Sequence, residues 1–348
     1  MTKQVFVRAL ILMSALLVLN GCKDSESAND AKKGDPALVL DAGQEPREVL
    51  RYKIAHGTTT TANMDFGVAS MASSSDGAAL TVTPGVRLHI VSGPSMEGKR
   101  GTTRFDVRIV KAEAIVPDNL HPTMKQDLNK SASVLNNVGG WVEVDDRGII
   151  QRSELNQAAE RADVPVRLLV MIINARTSLS RVILPAEAVG PGARWEARKD
   201  LVLYGFEVSQ VDTYTLVEKV GDELKLNVQI QQTALPQTLT FEEEGVELSV
   251  ESFKASATGE VIANLNALET NSAASGESTG VLNVKTVDGT EKVEIDRAFQ
   301  VRMTVTYDLA ETEAKAVEAL EDAEATRAAE GAAAEKLDKA EKAEKAQE

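Results

Sequence analysis

A single cysteine, Cys22, stands in the 348 residues, so no disulfide can form within the chain. Aromatic residues make up only 4%, which leaves few bulky groups to fill a large interior. The three histidines, His56, His89 and His121, share no ligand spacing with one another or with nearby acids. No metal and no cofactor is implied. Basic residues are also in deficit, 38 Lys and Arg against 53 Asp and Glu, for a net charge of −15. Such a chain repels phosphates, which excludes nucleic acid as a partner through charge. Beyond the N-terminus no apolar run reaches membrane-spanning length; the longest, Val164 to Ile173, is short and holds Pro165 and Arg167.

The N-terminus is different. Lys3 and Arg8 form a basic start, Ala9 to Leu19 an apolar core, and Gly21 precedes the cysteine. Leu19-Asn20-Gly21-Cys22 resembles the lipobox of bacterial lipoproteins. The resemblance implies cleavage of residues 1–21, acylation of Cys22 and a membrane anchor made of those acyl chains. Removing 1–21 takes away Lys3, Arg8 and no acid, so the charge goes from −15 to −17. In enterobacterial lipoproteins an aspartate after the lipidated cysteine favours retention in the inner membrane. Lys23 stands there in this chain, which by resemblance points to the periplasmic face of the outer membrane.

Residues 22–46 are polar, charged and aperiodic, and read as a flexible tether. From 47 to 310 the chain is expected to form a body. Between 293 and 307 the odd positions Val293, Ile295, Phe299, Val301, Met303, Val305 and Tyr307 are apolar and their neighbours polar, the period of a long strand with one buried face. Arg297 interrupts the apolar side and marks a bulge or a snorkelling side chain. Leu224 to Ile230, Phe105 to Ile109 and Val246 to Val250 alternate in the same way. Asp145-Asp146-Arg147-Gly148, Gly221-Asp222 and Asp288-Gly289 supply hairpin turns.

Two segments have helical period instead. Met124, Leu128, Ala132, Leu135 and Val138 precede the stop signal Gly139-Gly140, and a second apolar face runs from Asp163 to Val182. The expected fold is α+β and mainly antiparallel β: a long curved sheet, unclosed and barrel-like, covered by two amphipathic helices. The element order suggests two related halves, 47–162 and 163–310, and one domain or two stays open. Residues 311–348 are rich in Ala, Glu and Lys and read as a solvated helical or disordered tail.

The stretch Pro185 to Trp195 follows a Pro-x-x-x-Val-Gly-x-Gly-x-x-Trp pattern. It resembles uncharacterised bacterial envelope lipoproteins; physically it is a glycine turn that leads into a strand starting at a buried tryptophan.

No catalytic constellation emerges, and the expectation is a protein that is not an enzyme. Gly276-Glu277-Ser278-Thr279-Gly280 matches the serine-hydrolase elbow, but no strand-to-helix context surrounds it and all three histidines precede it, so it reads as a loop. Gly93 to Arg100 approaches a phosphate loop but ends in Arg100 and runs on into a strand, which reads as a hairpin loop. Glu242-Glu243-Glu244 reads as a solvated acidic run. Two function classes follow. One is a carrier of an apolar or lipid ligand held between sheet and helices, with Leu168, Leu169, Ile172 and Ile173 facing it, as in the lipoprotein-carrier folds that this architecture resembles. The alternative is a structural or assembly protein of the envelope that acts through protein partners.

Overall fold

A computed structural model describes residues 35–74, 77–116, 120–156, 181–203, 206–241, 246–286 and 289–306. In chain order the elements are β1 (Ala37–Asp41), β2 (Glu48–Val49), β3 (Thr60–Ser74), β4 (Gly77–Ser92), β5 (Met96–Glu97), β6 (Thr103–Ile115), α1 (Pro122–Ser133), β7 (Gly139–Val144) and β8 (Ile150–Leu155). They continue with β9 (Ala188–Val189), β10 (Arg194–Leu203), β11 (Phe206–Val220), β12 (Glu223–Ala234), β13 (Gln237–Phe241), β14 (Val246–Asn264), β15 (Thr270–Thr286) and β16 (Gly289–Thr306).

All pairings are antiparallel, and fourteen strands form one sheet in the order β1-β10-β11-β12-β14-β15-β16-β3-β4-β6-β7-β8, with β13 beside β14 and β5 beside β6. The alternations of the sequence become its two faces. Leu224, Leu226, Val228 and Ile230 are buried on one side of β12, and Val301, Met303 and Val305 on one side of β16. Lys292, Glu294, Asp296, Gln300, Arg302 and Thr304 are exposed on the other face of β16. The turns behave as their residues predict. At the β7–β8 hairpin Asp145 Oδ1 accepts from the amides of Arg147 and Ile149 (3.0 and 2.9 Å), and Gly148 takes a φ of +79°. Gly221, at φ +58°, and Asp222 join β11 to β12 as a two-residue turn.

The sheet curls so that distant strands share one interior. Leu268, from the β14–β15 connection, packs against Phe105 of β6 and Val144 of β7. The larger cluster gathers Ala37, Leu50, Tyr52, Val182, Leu184, Trp195, Tyr214 and the inner residues of β12 and β14. Residues 181–184 are held at its centre. Tyr52 Oη donates to the Val182 carbonyl at 3.0 Å, Trp195 Nε1 donates to the Ile183 carbonyl at 2.8 Å, and the Leu184 amide donates to the Arg147 carbonyl at 2.9 Å. Among the described residues no helix is long and apolar enough to cross a membrane.

Several expectations are corrected. Residues 37–41, assigned to the tether, are strand β1, paired with β10 and burying Ala37. A strand whose partner lies more than 150 residues away leaves little local signal. The segments 47–162 and 163–310 contribute to one sheet, as β16 pairs with β3 and β1 joins β10. Arg297 makes no bulge: β16 stays in register, with Arg297 opposite Ser278 on one side and Ser70 on the other. One helix is described, α1, which lies against β6; its Met124 is 53% exposed and outside the core, while Ala132 is buried. The Asp163–Val182 helix falls outside the described residues except at its end, where Arg181 and Val182 are not helical. Gly276-Glu277-Ser278-Thr279-Gly280 is no loop but the middle of β15. Added at Gly276, a Cβ would press on the Ser256 carbonyl and stand 2.6 Å from Ala257 Cβ, so the close approach of β14 and β15 needs a glycine there.

Candidate functional site

In β10, β11 and β12 the inner positions are apolar near the β11–β12 turn and then polar, and in β11 they are apolar again at Val208 and Phe206. Trp195 and Ala197 are followed by Lys199, Leu216 and Tyr214 by Asp212 and Gln210 in reverse chain direction, and Ile230 by Gln232. Register places Lys199 opposite Gln210 and Gln210 opposite Gln232, so the polar residues form a belt across three strands. Lys199 Nζ donates to Asp212 Oδ2 at 2.6 Å, with side chains 9% and 1% exposed. Gln210 Nε2 donates to Asp212 Oδ1 at 2.6 Å, Tyr214 Oη to Asp212 Oδ2 at 3.3 Å, and Gln232 Nε2 to Gln210 Oε1 at 2.7 Å. Asp212 thus accepts three bonds, which is how a buried carboxylate is kept.

Two more buried charges stand near the belt. Arg181 Nε donates to the Gly148 carbonyl at 3.0 Å. Burial pulls its guanidinium down to about 10, against the opposing pull of Tyr52, Tyr214, Glu269 and Asp212, so it stays charged at neutral pH. Burial likewise lowers the Lys199 ammonium, and Asp212 raises it again. The Tyr214 phenol is pushed well above its ordinary value, first by burial and then by the Asp212 charge. Glu269, just before β15, accepts from Thr60 and Ser92, the end residues of β3 and β4; burial raises its carboxyl above the usual range despite those bonds. The arrangement is an interior with an apolar floor and fixed polar groups above it. It can orient a polar group.

A second polar cluster lies on the outer face of β6–β8. Arg104 stacks over the Trp141 ring at 4.4 Å to the centroid, and Trp141 Nε1 donates to Glu154 at 3.0 Å. Buried Glu143 pairs with Arg152. His89 Nε2 lies 3.5 Å from Glu113, and among the described residues no three His, Cys, Asp or Glu side chains gather at metal-binding distance.

Cys22 and Leu168, Leu169, Ile172 and Ile173 lie outside the described residues, as do Glu242-Glu243-Glu244. Gly93 to Arg100 is a hairpin connection, in which Met96 and Glu97 pair with Arg104 and Thr103. The Pro185–Trp195 stretch is the glycine turn expected of it. Trp195 is fully buried one residue into β10, and a Cβ on Gly190 would overlap the Gln44 carbonyl. The polar belt was not singled out from the sequence. Its signal was there, Gln210 and Asp212 at inward positions of an otherwise apolar period-two run.

No family model and no curated protein matches the chain. Among solved structures, similarity is found to OccAB4 of Acinetobacter baumannii, at 6% identity over 72% of this chain and 99% of that one, with a TM-score of 0.20. OccK2 (OpdF) of Pseudomonas aeruginosa gives 7% identity over 72% and 99%, with a TM-score of 0.17. The outer membrane protein opdK of Pseudomonas aeruginosa gives 6% over 72% and 100%, with a TM-score of 0.19. Scores this low carry no argument about fold or function. The exposed face of β16, with Lys292, Glu294, Asp296, Gln300 and Arg302, is the reverse of the apolar outer band that a membrane-spanning barrel needs.

Proposed function

We propose that the protein is a non-catalytic, lipid-anchored component of the bacterial cell envelope that holds an apolar or lipid ligand inside its curled sheet. Acyl chains on Cys22 attach it at the periplasmic face of the outer membrane. The observation that carries the ligand reading is the inner face of β14 and β15. Ala255, Gly276, Ser278 and Gly280 share the face that buries Ala257 and Val261, yet each remains partly accessible. Side chains this small leave room where a filled core would place Leu or Phe. The polar belt stands beside an apolar floor, the pairing of surfaces that an amphipathic molecule fits. The run with Leu168, Leu169, Ile172 and Ile173 is the sequence's candidate for the opposing wall.

The test is to purify the full chain from its native membrane, extract it with organic solvent and identify bound lipid by mass spectrometry. Ala255→Phe, which fills the accessible stretch, should lower the yield of lipid without unfolding the protein. No lipid, and no binding of a fluorescent fatty acid, would overturn the carrier reading. Cys22→Ser should abolish fatty-acid labelling and leave an unprocessed precursor; normal processing and labelling would overturn the anchor.

A second reading, an assembly protein acting through protein partners, is favoured by β8. It ends the strand order, and Ile150 to Glu154 are all exposed, with Arg152 and Glu154 as charges that discourage indiscriminate pairing.

A further inference from the structure

Large apolar side chains are unevenly exposed. Leu38 and Leu40 of β1 are 52% and 47% exposed, and Val39 between them packs on the core. β1 therefore turns two leucines outward where an edge strand ordinarily carries charge. Val217 and Val220, at the β11–β12 end, are 45% and 65% exposed, and Val49 of β2 is 53% exposed. Register draws these together. Asp41 is opposite Arg194 and Arg194 opposite Thr215, which sets Leu40 two strands from the Thr215–Val217 stretch, about 10 Å across the sheet. Val217, like Leu38 and Leu40, lies on the outer face, and the Glu48–Lys219 ion pair at 3.0 Å ties β2 to the end of β11.

The chain enters the body at one side of this patch, three residues before Leu38. Asp35, the first described residue, is thirteen residues from Cys22, a path of at most ~45 Å even when fully extended. We infer that the Leu38, Leu40, Val49, Val217 and Val220 surface lies on the lipid bilayer to which Cys22 is anchored, so that the body rests on the membrane by this end. The inference depends on the reading that Cys22 is acylated. A bilayer fits better than a charged protein partner, because the charges beside the patch are mixed: Arg47, Arg194 and Lys219 against Glu45, Glu48 and Asp41. Binding of this kind comes from apolar area placed at the headgroup boundary and needs no anionic lipid.

The test uses the mature lipoprotein in phosphatidylcholine vesicles. With Cys22 acylated, a cysteine introduced as Leu38→Cys or Leu40→Cys is the only free thiol, and it is labelled with an environment-sensitive fluorophore. A third variant, Leu235→Cys, places the probe at an 82% exposed residue at the far end of β12. At positions 38 and 40 the emission should shift to the blue, and vesicles with brominated acyl chains should quench it by about half, as for a group ~5–10 Å into the boundary. At 235 neither should occur. Water-like emission at all three positions, in protein that floats with the vesicles, overturns the inference and leaves the anchor intact. A blue shift that brominated lipid does not quench assigns the patch to a second copy and also overturns it. Protein with no acyl group that fails to float overturns the anchor reading and this inference with it.

Discussion

The Arg147 guanidinium grips the Asp35 carboxylate with two bonds, Nη2 to Oδ1 at 2.6 Å and Nη1 to Oδ2 at 3.0 Å. Arg147 is in the β7–β8 turn and Asp35 stands two residues before β1, so the pair joins the two ends of the strand order. Arg147 Nε also donates to the Leu184 carbonyl at 2.9 Å, which fastens the same turn to the buried 181–184 segment.

Asp35→Ala should release β1. Arg147 beside Asp35 holds its carboxyl below the ordinary range, so the tie is complete at neutral pH and is lost as the pH falls through the depressed folded value. Hydrogen exchange at the amides of Ala37 to Asp41 should quicken in the variant at pH 7, and in the wild type only in acid. Unchanged protection in the variant would show that the ion pair does not hold the strand.

Asp212→Ala should destabilise the body by about 3–5 kcal/mol, because it leaves Lys199 buried without its counter-charge. The double variant Lys199→Met with Asp212→Leu should recover most of that loss. Denaturant unfolding of the three proteins checks it. A single variant as stable as the wild type would mean that Asp212 is not what holds Lys199.

Glu269 carries a raised carboxyl. Its stabilising contribution is whole below the unfolded carboxylate value and is lost as pH rises through the folded one. Glu269→Gln cannot ionise, so its melting temperature relative to wild type should be higher at pH 7.5 than at pH 4.5. A difference that does not change with pH would refute the assignment.

Gly276→Val should cost about 1–3 kcal/mol, since the new side chain meets the backbone of β14 and the two longest paired strands must part. Thr279→Val, on the exposed face of the same strand, should fall within about 0.5 kcal/mol of wild type. Equal effects would mean that β14 and β15 are free to shift.

Much of the local structure was legible in the chain. The alternation in Leu224–Ile230 and in Val301–Val305 and the Asp145–Gly148 and Gly221-Asp222 turns follow from residues a few positions apart, whereas α1 ends at Ser133, before Leu135 and Val138, and Gly139-Gly140 open strand β7 instead of stopping a helix. Side-chain period and turn chemistry are short-range properties, so a linear reading recovers them. β15 was only partly legible: Gly276 and Gly280 carry weak strand propensity, and the pairing with β14 and β16 outweighs it.

What the sequence by itself determined is therefore the set of strands with strong alternation, their turns and the excess of acid over base. The tertiary structure alone decided which strands are neighbours, and so drew β1 out of the tether, joined β16 to β3 and aligned Lys199, Gln210 and Gln232 into one belt. The physical reason is separation along the chain. Buried Lys199 meets the Asp212 carboxylate, on the next strand, at 2.6 Å in a register set by the whole sheet, and no residue beside Lys199 in sequence announces that pairing.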